Sequence, residues 1–323
     1  MEINRRTTLI AGTGAVLAPL VGLPSHDAQA AQAIADAQVP GLLRKRIGEY
    51  LVTAIADGYL DLGQELFSGI SKREIDELQT NTFIRPGPIR AAVSTYLIQK
   101  GDVAILIDSG AGDQLGETAG RMHGNLAAAG VRPADITAVY LTHMHPDHIN
   151  GLAKDGEPLF PNAQLVVHQT ELAFWTDEGN TSAAPDFVKP YFLGAQATVR
   201  SYNGRTSVFS GNDSDVGHGL RSVELPGHTP GHSGFRLSSG TDDLLIWGDI
   251  VHAHSLQFAR PECSVGFDVD ASTAVQTRRK IFETVASEGT LVAGMHLDFP
   301  GFGHVRAAKV GYEFVAQPWP YDL

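Results

Sequence analysis

Six consecutive residues, His143-Met144-His145-Pro146-Asp147-His148, hold three imidazoles and one carboxylate, one residue beyond the apolar run Val139-Tyr140-Leu141. Side chains alternate in an extended segment and change direction at a proline. His143 and His145 can therefore face one cation, and Asp147 and His148 another. A fold that uses such a loop must bring further donors to it. Three candidates stand in similar settings, each after a strand-like run: His228 in Pro226-Gly227-His228-Thr229-Pro230-Gly231-His232, Asp249 in Trp247-Gly248-Asp249, and His296 in Ala293-Gly294-Met295-His296. Nitrogen and oxygen donors with no thiolate suit two divalent metal ions, with zinc favoured and manganese, iron or cobalt as alternatives.

The rest of the chain supports an α/β scaffold. Residues 47–55 alternate loosely, and the β-branched runs 93–98 and 103–107 flank Lys100-Gly101-Asp102, which predicts a hairpin. A helix is expected over 117–129, ended by Gly130. A strand follows at 139–141, another at 164–167, and a helix at 171–175. Residues 179–199, with Pro185, Pro190 and Gly194, suggest an irregular segment that covers a pocket. The second half repeats the plan, with strands at 221–225, 234–237, 244–247 and 290–293 and a helix at 271–286. Two similar halves that mix strands with helices favour two packed sheets with helices outside.

The His-x-His-x-Asp-His motif at 143–148, followed in order by His228, Asp249 and His296, resembles the metallo-β-lactamase superfamily over about residues 45–315. The resemblance implies an αββα four-layer sandwich. It assigns His143, His145 and His228 to a first metal, Asp147, His148 and His296 to a second, and Asp249 to a bridge between them. Asp108, in Leu106-Ile107-Asp108-Ser109-Gly110, matches an acid that hydrogen-bonds a histidine ligand and fixes its tautomer. His232 is a candidate for a similar outer role. His252, His254 and His304 read as surface or packing histidines, and His168 has no assigned role. A closer likeness, carried by residues 141–148, 245–249 and 296–304, is to the methyl parathion hydrolase group and related lactonases. There Trp175 and Phe192 match aromatics that line an apolar substrate pocket, while no aromatic stands at Leu115 or Gly116.

The reaction implied is hydrolysis by a hydroxide held between two metals. Its substrates would be lactones, carboxyl or aryl esters, or organophosphate triesters. Asp147 would take or shuttle a proton and Asp249 would hold the bridge. A β-lactam or thioester hydrolase, a mononuclear iron-dependent oxygenase, and a binding protein that has kept the scaffold are the alternatives. The presence of Asp249 argues against β-lactamases with cysteine or no acid there, and His145 argues against flavodiiron oxygen reductases.

Residues 1–33 differ in character from the remainder of the chain. Arg5-Arg6, an apolar Gly- and Ala-rich stretch over 9–23 and Ala28-Gln29-Ala30 predict an export signal, too short to span a membrane. The paired arginines suit the twin-arginine type, although Thr8 occupies a position often filled by phenylalanine. The expectation is a periplasmic or secreted enzyme with one metallo-β-lactamase-like domain over 34–323 and no membrane association once the signal is removed. A net charge of -12 argues against nucleic acid as a partner, leaving a small-molecule substrate, with a homodimer compatible. Cys263, the single cysteine, cannot form an internal disulfide and reads as a small buried side chain.

Overall fold

Period-two alternation along the central strands sorts their side chains into three apolar layers. In the run Val103–Ile107, Ile105 and Ile107 join one core cluster, while Ala104 and Leu106 join another on the opposite face. The run is apolar throughout because both its faces are covered. In Asp242–Ile246 the same rule sends Leu244 and Ile246 toward the shared cluster and Leu245 to a third.

The computed structural model describes residues 38–323, of which Val39–Leu323 forms one compact unit. The expected export signal lies outside the described residues. One sheet contains β1 (Leu42–Ile47), β2 (Tyr50–Leu62), β3 (Ile89–Lys100), β4 (Val103–Ile107), β5 (Ala138–Tyr140), β6 (Gln164–His168) and β7 (Thr206–Phe209), side by side in chain order. Neighbours are antiparallel from β1 to β4 and parallel from β4 to β7. The other sheet contains β8 (Asp215–Gly217), β9 (Leu220–Glu224), β10 (Ser233–Ser239), β11 (Asp242–Ile246), β12 (Leu291–Ala293), β13 (Phe302–Ala307) and β14 (Tyr312–Ala316). Its pairs are antiparallel except the parallel β11 and β12. Each half of the chain thus builds one seven-stranded sheet.

The helices are α1 (Lys72–Asn81), α2 (Met122–Ala128), α3 (Pro146–Ile149), α4 (Gln169–Thr176), α5 (Glu178–Ala183), α6 (Lys189–Ser201), α7 (His254–Gln257) and α8 (Ala271–Glu288). Met122 and Leu126 of α2, Trp175 of α4, and Phe192 and Ala195 of α6 pack on the outer face of the first sheet. Ile281, Phe282 and Val285 of α8 do the same for the second. Tyr96, Ile105, Tyr140, Phe235 and Ile246 fill the layer between the sheets. This is the expected αββα sandwich.

Three local expectations need correction. Residues 47–55 are not one strand, because the chain reverses at Gly48, at φ 53°, between β1 and β2. The helix expected over 117–129 is confined to Met122–Ala128. The Asp57 carboxylate accepts from the backbone N–H groups of Ala111, Gly120 and Met122 and holds the preceding residues in a folded loop. The irregular segment expected over 179–199 contains α5 and α6. Asp177 caps α5 by accepting from the Asn180 N–H, Pro190 lies in the first turn of α6, and Phe192, Ala195 and Thr198 form its buried face.

Candidate metal centre

The candidate ligands collect where strands of both sheets end. Asp108 follows β4, His143 follows β5, His228 follows β9, Asp249 follows β11 and His296 follows β12. His145 is still extended, at φ −70° and ψ 156°, and Pro146 then starts α3, a single turn. The change from strand-like to helical backbone separates the directions of His145 and His148, as the proline suggested. Gly248 adopts φ +61°, and a Cβ there would lie 2.3 Å from His232 Nε2. Glycine therefore lets the turn that presents Asp249 close against its neighbours.

Two groups of donors converge, with the Asp249 carboxylate between them. His145 Nδ1 lies 3.0 Å from His143 Nε2 and 2.9 Å from His228 Nε2. Asp147 Oδ2 lies 3.4 Å from both His148 Nε2 and His296 Nε2. Asp249 Oδ2 is 3.6 Å from His143 Nε2, 3.3 Å from both His148 Nε2 and His228 Nε2, and 2.9 Å from His296 Nε2. All seven side chains expected as ligands are brought together, and their donor atoms form sets compact enough to hold cations. The donor chemistry fits two divalent metals. Three imidazole nitrogens point at one another in a buried space, and His148 Nε2 and Asp249 Oδ1 are buried with no hydrogen-bond partner. Buried polar atoms are normally satisfied, and a cation in each group would satisfy these.

An outer layer sets the rings. His148 Nδ1 lies 2.8 Å from Asp108 Oδ2, which also accepts from the Thr142 hydroxyl, while Asp108 Oδ1 accepts from the Thr142 N–H. His228 Nδ1 is 2.9 Å from Asp268 Oδ1, and His296 Nδ1 is 2.6 Å from the Ala92 carbonyl. An acceptor at Nδ1 places the ring proton there and leaves Nε2 for a cation. Asp108 thus stands where expected, beside a ligand histidine. His232 also lies in this layer: its Nε2 accepts from the Asp249 N–H and its Nδ1 faces the Leu225 carbonyl.

Electrostatics separate the histidines. Burial drives His143 and His145 well below the ordinary range for histidine, and neighbouring imidazoles add to this. Burial also acts to lower His148, but Asp249, Asp147 and Asp108 outweigh it and hold it well above. Asp147 stays ionised: burial pushes upward, but His148 and His296 pull its carboxyl below the usual range. Metal loading would displace protons from the raised imidazoles.

A cavity of about 90 Å³ opens on the two donor groups. Leu60, Leu62, Ala91, Leu115, Tyr191 and Phe267 form its apolar wall, with His145, Asp147, His228, Asp249, His252 and His296 at its polar end. Trp175 and Phe192, expected to line it, do not. Both are buried in the core beneath, with ring centroids 4.5 Å apart, because the Trp175 indole N–H is tied to Glu171. Their neighbour Tyr191 reaches the cavity instead. His252 also departs from expectation. It is buried, with Nε2 3.1 Å from Asp249 Oδ2, and groups with His228 and Asp249 as a further donor set. Its spacing, three residues after Asp249, was a usable signal. His254 and His304 lie outside the centre, the first against Asp298 and the second against the Gly289 carbonyl. His168 caps α4 by accepting from the Thr170 N–H. Asp268 carried no motif, since only folding brings it to His228.

Comparison with known proteins agrees with this geometry. The Metallo-beta-lactamase superfamily profile matches residues 89–296. The probable metallo-hydrolase YqjP of Bacillus subtilis (strain 168) is 27% identical over 65% of this chain and 67% of its own. The N-acyl homoserine lactonase AttM of Agrobacterium fabrum (strain C58 / ATCC 33970) is 30% identical over 52% of this chain and 61% of its own, so the likeness spans under two thirds of that relative. Among solved structures, the hydrolase AbOPH is 31% identical, with a TM-score of 0.82 over 88% of this chain and 100% of its own. AidC, a dizinc quorum-quenching lactonase in complex with a product, N-hexnoyl-L-homoserine, shares the fold at 24% identity, with a TM-score of 0.82 over 87% of this chain and 99% of its own. With its strand-end donors gathered into two groups and the profile matched from β3 through His296, the chain belongs to the metallo-β-lactamase superfamily.

Proposed function

We propose that this protein is a dinuclear metal hydrolase of uncharged cyclic or aryl esters, with lactones as the preferred class and organophosphate triesters as the close alternative. The observation that carries the reading is two donor groups sharing Asp249 at the end of an apolar cavity. Two bound cations would supply a water acidified toward neutrality and positive charge for the oxygen of the scissile group. His143, His145 and His228 would hold one, Asp147, His148 and His296 the other, with Asp249 common to both.

The chain's own groups account for the remaining steps. Leu60, Leu62, Leu115 and Phe267 would take the acyl or aryl portion and exclude water. Asp147, at 13% side-chain exposure, is less enclosed than Asp249 at 2%, so of the two acids of the centre it is the one placed to accept a proton and return it to the departing alkoxide. Among the described residues that line the cavity there is no lysine or arginine. Away from the two cations, a substrate carrying its own carboxylate, as a β-lactam does, would find no cationic side chain to pair with it, whereas a neutral lactone or triester needs none. Two donor groups, joined at Asp249, favour a two-metal hydrolase over a mononuclear oxygenase.

The test is kcat/KM of protein lacking residues 1–33, reconstituted with zinc or manganese, for a medium-chain lactone beside an organophosphate triester. A large lactone excess is the expected result. The reverse would move the assignment to a triesterase, and turnover of neither class, nor of an aryl ester, would overturn it.

A further inference from the structure

One buried carboxylate gathers four neutral donors from three parts of the chain. Glu171, in the first turn of α4, is fully enclosed. Its Oε1 accepts from the Met144 N–H at 2.9 Å and the Trp175 indole N–H at 2.7 Å. Its Oε2 accepts from the Thr229 hydroxyl at 2.7 Å and the Gly231 N–H at 2.9 Å. Met144 stands between His143 and His145, and Thr229 directly follows His228. Gly231 is pressed so close that a Cβ there would lie 2.3 Å from the Glu171 backbone nitrogen. Each carboxylate oxygen therefore holds one of the two loops that carry the first donor group. Those loops leave different sheets, one after β5 and the other after β9.

We propose that Glu171 is the positioning residue of the first cation, setting the separation between the His143/His145 loop and His228. The proposal rests on the two-cation reading above. An isolated buried carboxylate is costly unless its oxygens are filled by hydrogen bonds, and here they are. Glutamine cannot replace it: even with its amide nitrogen toward the Thr229 hydroxyl, which can turn to accept, the Gly231 N–H would face an NH₂ instead of an acceptor. The second donor group is braced elsewhere, by Asp108 at His148 and the Ala92 carbonyl at His296. Losing the clamp should therefore weaken one cation and spare the other.

The experiment loads wild type and E171Q with zinc and titrates both against a chromophoric chelator, with bound metal counted by mass spectrometry. Wild type should hold two ions per chain. In E171Q one should weaken by about 10–100-fold, the size usual for groups that orient metal ligands. The other should stay within threefold. Adding H296A to E171Q should then remove the remaining tight ion, whereas adding H145A should not. A folded E171Q that holds both ions as wild type does, or loses both equally, would overturn the proposal. Fewer than two ions in wild type would overturn the two-cation reading, and this proposal with it. If E171Q does not fold, Thr229→Val removes one of the four donors without changing charge. It decides by the same readout: a selective loss supports the clamp, and equal or absent losses refute it.

Discussion

Replacing Asp108 by asparagine should weaken the cation held by His148 and leave the other almost unchanged. Asp108 occupies φ +60°, a backbone state that asparagine tolerates as well as aspartate and alanine does not, so the substitution tests the side chain without added strain. The carboxylate accepts from three donors: the Thr142 N–H, the Thr142 hydroxyl and His148. An asparagine has one acceptor oxygen. The Thr142 hydroxyl can rotate and accept from the new amide, but either the Thr142 N–H or the His148 N–H must then face an amide NH₂. A buried donor left without its acceptor costs roughly 1–3 kcal/mol. If that cost falls on the orientation of His148, the affinity of one cation drops about 10–100-fold. The assay is stepwise zinc affinity by chelator competition at one pH, with thermal melts of the chelated protein beside it. Equal losses at both sites, or a lowered melting temperature with both affinities unchanged, would refute the reasoning, since either would make Asp108 a brace for the loop and not for the ring.

Further outcomes concern other parts of the molecule. Arg278 is buried and donates to the carbonyls of Ile250, Pro261 and Cys263, tying α8 to the loop beyond Asp249; Arg278→Met should cost roughly 3 kcal/mol, or about 6–12 °C in Tm, measured by calorimetry. Leu115→Trp should fill much of the cavity and raise KM for long-acyl lactones several-fold with Tm within about 2 °C, so an unchanged KM would remove Leu115 from the substrate wall. Burial pushes the Cys263 thiol up to about 12, so at pH 8 it stays neutral and the native protein should resist iodoacetamide while the denatured chain reacts, as followed by mass spectrometry. Changing Arg5 and Arg6 together to lysine should retain the protein in the cytoplasm on cell fractionation, if residues 1–33 are a twin-arginine signal.

The seven candidate ligands were legible because each stands in a local pattern, an apolar strand run ending in a donor, that survives without tertiary information. The sandwich was legible for a related reason: runs such as Val103–Ile107 are apolar on both faces and need a layer on each side. Asp268 and Glu171 were not legible, because their partners lie 40 residues away at His228 and 27 and 58 residues away at Met144 and Thr229. The α6 segment misled because its proline sits in a first turn, where proline starts a helix, and local sequence does not distinguish that from a break. Trp175 and Phe192 misled because an aromatic beside a site and an aromatic beneath it look alike until a fixed partner, here Glu171 at the indole N–H, sets the depth.

The division of the donors between the two sheets makes the centre a joint as well as a reaction site. His143, His145, Asp147 and His148 belong to the half ending at β7, and His228, Asp249 and His296 to the half beginning at β8. Neither half can complete either donor group alone. Metal loading is therefore coupled to the docking of the halves, and ions present at about a thousandfold over their Kd would add about 4 kcal/mol each to that docking. The connection over 210–214 then carries covalent continuity that a loaded protein scarcely requires. A chain nicked there should stay assembled on the apolar layer shared by the two sheets, and its melting temperature should fall when a chelator removes the metal.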